Sequence, residues 1–365
     1  MPTLPRCLGR QLWCLPFSSA KPCRRRLLHT RTLALAGAEE HARYIDEIAM
    51  ASRPARVATL LKVLNAQGHE IVSPADRTGL HPLVVPLSKH AVQPAPGDAS
   101  VIGNETFTCL LRWPESKRSI GMPVVQMSRN APSMRLVART TDEYLHRALA
   151  EEDVASGPGQ IAEAAGPSGR EVYVPGAVAS AKQVHLQAYL TRRAGMYIDV
   201  VEQLMANHLS KGDTMSALIT GEWYMRSKHF PGWARPFEAN ALLFQDINRM
   251  EEARDTARIA LRMPWWTLLT GFQKIRDLAE LSGDADAVAN ALSEETAAAS
   301  GPVPGGNIIS KDAKQLALEK ADRTMNRSAA GSTADWDSIR GQLADEYRAA
   351  GLSDVAEFIL AAEHR

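Results

Sequence analysis

Apolar residues follow a helical spacing soon after residue 38 and then again through most of the second half of the chain. Two apolar stretches lie between residues 39 and 68. The second begins beside Pro54 and ends before Gly68, and a proline near the start with a glycine just past the end is typical of a helix. The sequence therefore predicts a helical hairpin here. Its apolar positions are Tyr44, Ile45, Ile48, Val57, Leu60, Leu61 and Leu64.

A different pattern, short runs rich in β-branched and bulky residues, predicts β structure near residues 105–139. The runs Glu105–Trp113, Pro123–Met127 and Met134–Arg139 are separated by Pro, Gly and Asn, which is typical of short strands. A further short strand is predicted at Leu83–Leu87. We expect a small antiparallel sheet covered by a helix that starts at Thr141. The apolar face of that helix contains Tyr144, Leu145, Ala148 and Leu149.

The remainder is predicted to be helical. Its predicted helices are Val184–Leu209, Met215–Lys228, Pro236–Asp246, Met250–Arg262, Leu268–Leu281, Ala285–Glu295, Lys311–Met325, Asp335–Ala350 and Ser353–Ala362. Two helix pairs, at residues 237–261 and 339–360, resemble each other, with bulky residues on the first helix and small ones on the second. This favours a mainly α fold, a helical-repeat-like (tetratricopeptide-like) array with the small antiparallel β region.

Composition divides the chain further. Residues 156–181 are rich in Gly, Pro and Ala, which predicts a flexible linker and a domain boundary. We therefore expect an organelle transit peptide at 1–38, a helical hairpin plus α+β domain at 39–155, this linker, and a helical domain at 182–365. A flexible break is expected near residues 300–306.

The first 38 residues are basic and contain no acidic residue, which is typical of a transit peptide. A basic tail that stays on the protein is the alternative. Leucines among arginines favour a mitochondrial peptide, whereas early Pro, Ser and Cys favour a plastid one, so composition leaves the organelle open.

Charge argues against nucleic acid as the main partner. Seven of the 42 Lys and Arg residues lie in this first segment, which leaves 35 basic residues against 41 Asp and Glu. An acidic protein lacks the positive surface that binds phosphate backbones. The sequence also contains no apolar run near the roughly 20 residues that span a bilayer.

The sequence contains no strong pattern of catalytic, metal-binding or cofactor-binding residues. Only Cys109 lies beyond the first segment, in an apolar run, so it is interpreted as a buried structural thiol. His69, His81 and His90 lack the close spacing of a zinc site and are interpreted as solvated or ordinary loop histidines. The acidic run 151–153 is interpreted as a solvated helix end. We therefore expect no cofactor, no metal and no catalytic residue.

Tryptophans are the most informative aromatic residues. Trp265 and Trp266 are adjacent at a predicted helix end, so we expect one ring in the core and one near the surface. Together with Trp336 and Phe358, they are the predicted partner-binding residues.

Several stretches together resemble the plant and algal family of proteins in chloroplast ATP synthase biogenesis. They are Phe107–Pro114, Met122–Met127, Asp142–Asp153, Ala260–Leu268 and Trp336–Leu360. The resemblance implies a stromal assembly factor, neither an enzyme nor a stable subunit, that helps the γ subunit join the α and β subunits. The resemblance also favours the plastid over the mitochondrion as the organelle. This chain departs from the family in Ala/Gly/Pro-rich insertions at 154–181 and 284–306.

Two other functions remain open at this point. An organellar helical-repeat protein that binds RNA or a ribosome would have a similar length and leader, although the acidic balance argues against it. An enzyme would have to hide an unfamiliar site in residues 105–150. The sequence leaves the oligomeric state open.

Overall fold

A computed structural model describes residues 37–92, 97–114, 121–181, 185–226, 229–300 and 312–361. The predicted transit peptide lies outside the described residues up to residue 36. Residues 301–306 of the predicted flexible break lie outside them as well.

The sheet is an antiparallel meander of five strands among the described residues, in the order β1-β2-β3-β4-β5. The strands are β1 Glu70–Ile71, β2 Val84–Ala91, β3 Glu105–Leu111, β4 Val124–Met127 and β5 Arg135–Ala138. The predicted strands are confirmed. Strand β2 pairs with β1 only at Ser88 and Lys89, and a register shift between Pro86 and Ser88 marks a bulge beside its proline, a position where sheets tolerate proline.

Both helices of the predicted helical hairpin are present, and their packing as a hairpin stays a prediction. Helix α1 covers residues 37–43 and runs into a π-helical turn at Tyr44–Ile48, and α2 spans Val57–Ala66. Helix α3 spans Thr141–Ser156, and the Thr140 hydroxyl caps it by accepting a hydrogen bond from the Glu143 N–H at 3.1 Å. The four apolar residues predicted for its inner face are buried.

The predicted linker is wrong for residues 160–170, which form helix α4, Gln160–Arg170. The Glu152 carboxylate accepts hydrogen bonds from three backbone N–H groups at the start of α4, at 2.8 to 3.0 Å. These are the donors that a helix N-terminus leaves unpaired. Gly166, at φ 58°, then kinks α4 before Pro167. A segment that composition marks as flexible is therefore fixed by a carboxylate on the preceding helix.

The rest of the described chain is mainly helical, as predicted from residue 182 onward, whereas helix α5 lies within the predicted linker. Its helices are α5 Ala177–Ser180, α6 Leu186–Tyr189, α7 Ile198–Ser210, α8 Thr214–Tyr224, α9 Arg235–Asp246, α10 Met250–Ala260, α11 Phe272–Leu278, α12 Ala285–Ser300, α13 Ala313–Ala329, α14 Arg340–Ala349 and α15 Ser353–Leu360. The helix predicted over Val184–Leu209 is interrupted at Gly195, where a Cβ would lie 2.5 Å from the Glu143 carboxyl carbon. The hairpins α9–α10 and α14–α15 are packed pairs, and their tetratricopeptide-like character stays a prediction.

Two apolar clusters cover the two faces of the sheet. Val85, Leu110 and Val124 belong to the cluster with α2, α3 and α4. Their neighbours in sequence, among them Cys109 and Val125, belong to the cluster with the helices from α7 onward. The architecture is therefore mainly α, with a small antiparallel sheet between two groups of helices.

Two buried arginines join the C-terminal helices to the sheet. Arg340 Nη2 donates hydrogen bonds to the carbonyl oxygens of Arg77 and Leu80, both at 2.9 Å. Arg77 in turn donates from Nη1 to the Phe358 carbonyl oxygen at 2.5 Å and from Nε to the Val84 carbonyl oxygen at 3.1 Å. Arg77 and Arg340 are 0% and 1% exposed, so their guanidinium groups depend on these protein acceptors in place of hydrogen bonds to water.

We expect Arg340→Lys to lower the free energy of unfolding by about 2–4 kcal/mol, since one ammonium group cannot reach the acceptors that the planar guanidinium serves. Urea denaturation measures the change. Arg327→Lys is the control, because Arg327 is 53% exposed beside Asp286 and its replacement should change little. Equal denaturation midpoints for Arg340→Lys and the parent chain would contradict this role.

Candidate protein-interaction surface

The structure buries all four predicted partner-binding residues. Trp265 and Trp266 are each 2% exposed, and Trp336 and Phe358 are 0% exposed. The expectation that one of the adjacent tryptophans lies near the surface is therefore wrong. Direct contact of these four residues with a partner is untested and stays a prediction.

Tryptophan packing explains this burial. His81 lies between Trp266 and Trp336, with 4.6 Å between the ring centroids in each pair. Trp113 and Trp233 flank Trp266 at 5.7 and 6.1 Å. Because these rings come from the sheet region, the middle helices and the C-terminal segment, they form a common core of all three parts.

The other two residues are fixed separately. Trp265 stacks on Phe272 at 4.2 Å between ring centroids and donates from Nε1 to the Leu261 carbonyl oxygen at 2.8 Å. The Phe358 ring lies under the Arg77 guanidinium at 3.9 Å. A helix end with two tryptophans thus turns both rings inward.

The histidines depart from the sequence interpretation. His81 is 0% exposed, so the expectation of a solvated or ordinary loop histidine is wrong for it. Burial lowers the pKa of His81 well below its ordinary value, and the positive charges of Arg340 and Arg77 lower it further. His69 and His90 stack at 4.0 Å between ring centroids, and burial, with the neighbouring His90, lowers the pKa of His69 to about 3.

Other candidates for chemistry have structural partners. Cys109 is buried as expected, and burial raises the pKa of its thiol. In the acidic run, Glu152 caps α4, and Asp153 accepts hydrogen bonds from the Tyr173 hydroxyl and the Gly176 N–H. Across the described ranges, no group of three or more His, Cys, Asp or Glu residues is arranged to hold a metal ion.

Helix α8 buries small residues and exposes two of its large apolar side chains, the reverse of an ordinary surface helix. Its fully buried positions, Ala217, Gly221 and Tyr224, lie on one face and are mostly small. Asn240 of α9 donates from Nδ2 to the Gly221 carbonyl oxygen at 3.1 Å. The Tyr224 hydroxyl donates to Glu202 of α7 at 3.1 Å. These bonds fix α8 against both neighbouring helices.

Two large apolar side chains of α8 point the other way, whereas Leu218 and Trp223 are partly buried against the core. Met215 is 66% and Ile219 60% exposed. Half-buried Trp223 extends the same i, i+4, i+8 stripe, and its ring is supported by His229 at 4.8 Å between ring centroids. We call Met215, Ile219, Glu222 and Trp223 the α8 face. An ordinary surface helix buries its large apolar residues, so this face is a candidate interaction surface.

Exposed apolar residues also occur elsewhere on the described surface. Val174 is 63% exposed, and Leu316 is 47% exposed beside a groove of about 610 Å³ between α13 and α14. Single exposed apolar side chains are normal on a protein surface. The α8 face stands apart because two such residues lie one helical turn apart.

Helical spacing predicts a helix at 215–228, but the predicted partner-binding residues do not include this face. The signal was present, because a helical projection places Ala217 and Gly221 opposite Met215 and Ile219. Which of the two faces is buried depends on Asn240 and Glu202, and the spacing within α8 carries no information about them.

We expect the free energy of unfolding to fall as the pH decreases from 7 to 5. A buried neutral histidine with a lowered pKa stabilises the fold above about pH 6.5, and the loss below that approaches about 1.4 kcal/mol per pH unit and proton. His41, His69, His90 and His146 have lowered pKa values as well.

The His81→Gln variant should show a shallower pH dependence in urea denaturation. His185→Gln, at an exposed position, should keep the slope of the parent chain. An unchanged slope for His81→Gln would contradict a neutral His81 in the folded state.

We expect Gly221→Ala to lower the free energy of unfolding by about 1–2 kcal/mol, although alanine favours helix. The new Cβ would lie 2.0 Å from Asn240 Oδ1 and displace a buried, hydrogen-bonded side chain. Gly341→Ala, which meets open space on α14, should instead stabilise by about 0.5–1 kcal/mol. Calorimetric melting compares them, and equal shifts would contradict the close α8–α9 contact.

Among the described helices, none has the length and apolar character needed to cross a membrane.

Comparison with known proteins covers nearly the whole chain. Family models described as PAB N-terminal, PAB middle domain and PAB C-terminal domain match residues 39–193, 198–285 and 277–362. The protein IN CHLOROPLAST ATPASE BIOGENESIS, chloroplastic, of Arabidopsis thaliana is 33% identical over 348 residues, which are 94% of this chain and 96% of the relative. No solved structure matches. The chain therefore belongs to the PAB family.

Proposed function

We propose that this chain is an assembly factor for the chloroplast ATP synthase that helps the γ subunit join the α and β subunits. The observation that carries the proposal is the likeness, over 94% of the chain, to a relative named for chloroplast ATPase biogenesis. In this proposal the chain binds unassembled subunits, performs no chemistry of its own, and leaves when assembly is complete.

Features of the molecule support a binding role. The buried arginines and the tryptophan core connect the sheet to helices from the middle and the end of the chain, which makes a firm scaffold. The α8 face offers apolar surface on that scaffold. An assembly factor has to release its client, and a modest interface suits that requirement because small contact areas belong to transient complexes.

Import into the plastid stroma is part of the same proposal. The basic, acid-free first 38 residues and the word chloroplastic in the relative's name support it, against the mitochondrial alternative. The tetratricopeptide-like nature of the α9–α10 and α14–α15 hairpins is also retained as a proposal, since stacked helix pairs are common protein-binding scaffolds.

The test is direct binding of the purified chain to purified γ, α and β subunits, measured by biolayer interferometry. We expect a dissociation constant of about 10⁻⁷ to 10⁻⁵ M for at least one free subunit, in the range of transient complexes. Much weaker binding to the assembled enzyme is expected, since the client surface is then covered.

Absence of binding to every free subunit would contradict the proposal. Steeply salt-dependent binding to organellar RNA in its place would favour the nucleic-acid alternative.

A further inference from the structure

Helix α8 is hydrogen-bonded to α7 and α9 on one side and exposes an apolar stripe on the other. Its inner face approaches α9 so closely that a Cβ at position 221 would displace the Asn240 side chain. Glu222 is the one charged residue within Thr214–Tyr224. Low charge together with an exposed methionine and a partly exposed tryptophan is the composition found at the centre of protein interfaces.

We propose that the α8 face binds one amphipathic helix of a partner protein, which carries apolar side chains at i, i+4 spacing and a lysine or arginine that pairs with Glu222. This inference rests on the proposed function, because it takes the partner to be an unassembled subunit of the ATP synthase.

The shape of the stripe fits a helix. Met215, Ile219 and Trp223 form a ridge along the i±4 direction, about 12 Å long at 1.5 Å per residue. Such a ridge packs into the groove between the corresponding ridges of a second helix. The unbranched side chain of Met215 adapts to different partner residues, which suits a surface that has to bind and release.

The negative charge of Glu222 determines which charged residue the partner helix should carry. Glu222 is exposed beside the stripe, and within the described part of the chain it forms no ion pair. A cation on the partner helix would pair with Glu222 at the rim of the contact. Rim charges of this kind set orientation and association rate more than affinity.

The area argues against a second copy of this chain as the occupant. At their exposed fractions, Met215 and Ile219 leave roughly 200 Å² of apolar surface open. A standard stable interface buries about 800 Å² on each partner. The face is therefore too small to be the apolar centre of a stable dimer, and it matches a single helix bound transiently.

The experiment compares variants of the full chain in the subunit-binding assay, with the purified γ, α and β subunits as probes. The double variant Met215→Glu/Ile219→Glu should raise the dissociation constant about tenfold or more, because it places two charges at the centre of the contact. Glu222→Lys should slow association about threefold or more and reduce its dependence on salt.

Val174→Glu is the matched control, since Val174 is as exposed as the α8 residues but lies outside the face. It should change the dissociation constant less than about twofold. Melting temperatures close to that of the parent chain show that the variants fold, as expected for substitutions at exposed positions.

The outcomes separate the two proposals. Failure of the parent chain to bind any free subunit overturns the proposed function and this inference with it. Binding that the double variant retains, or that Val174→Glu weakens equally, overturns the inference alone. Sedimentation that shows a stable dimer of the parent chain and a monomer of the double variant would assign the face to a second copy and also overturn it.

Discussion

The hydrogen bonds of two buried guanidinium groups are the constraint on which the rest of the structure depends. Arg340 and Arg77, 263 residues apart, are satisfied mainly by backbone carbonyl oxygens. A buried cation without these acceptors would be costly, so the C-terminal helices and the loop before β2 stabilise each other only when both are in place. Burial between Trp266 and Trp336 lowers the pKa of His81 well below its ordinary value, and the positive charges of Arg340 and Arg77 lower it further.

This arrangement explains why the residues that suggest a binding site from sequence are buried. Trp336 donates to the Ala131 carbonyl oxygen at 2.8 Å, and Phe358 packs beneath Arg77, so each holds the C-terminal segment on the sheet. Surface that a partner could reach lies on helices that these buried contacts do not involve. Helix α8 packs on its neighbours through Ala217, Gly221 and Tyr224, which leaves Met215 and Ile219 exposed.

Local periodicity predicted the elements whose partners lie close in sequence. Strands β3 to β5 and the buried face of α3 follow from alternation and from helical spacing. Other features depend on distant residues. Strand β1 has two residues and is defined by its pairing with Lys89 and Ser88. Helix α4 depends on the Glu152 carboxylate, and the burial of His81 depends on Arg340 and two tryptophans.

The most direct test of the account is hydrogen–deuterium exchange of the full chain with and without the purified γ subunit. Slower exchange is expected in peptides covering Thr214–Tyr224, with unchanged exchange over Ser353–Leu360, because the client contacts the α8 face and leaves the core closed. Protection over Ser353–Leu360 or Trp265–Thr267, with α8 unchanged, would contradict it and return the partner contact to the buried aromatic residues.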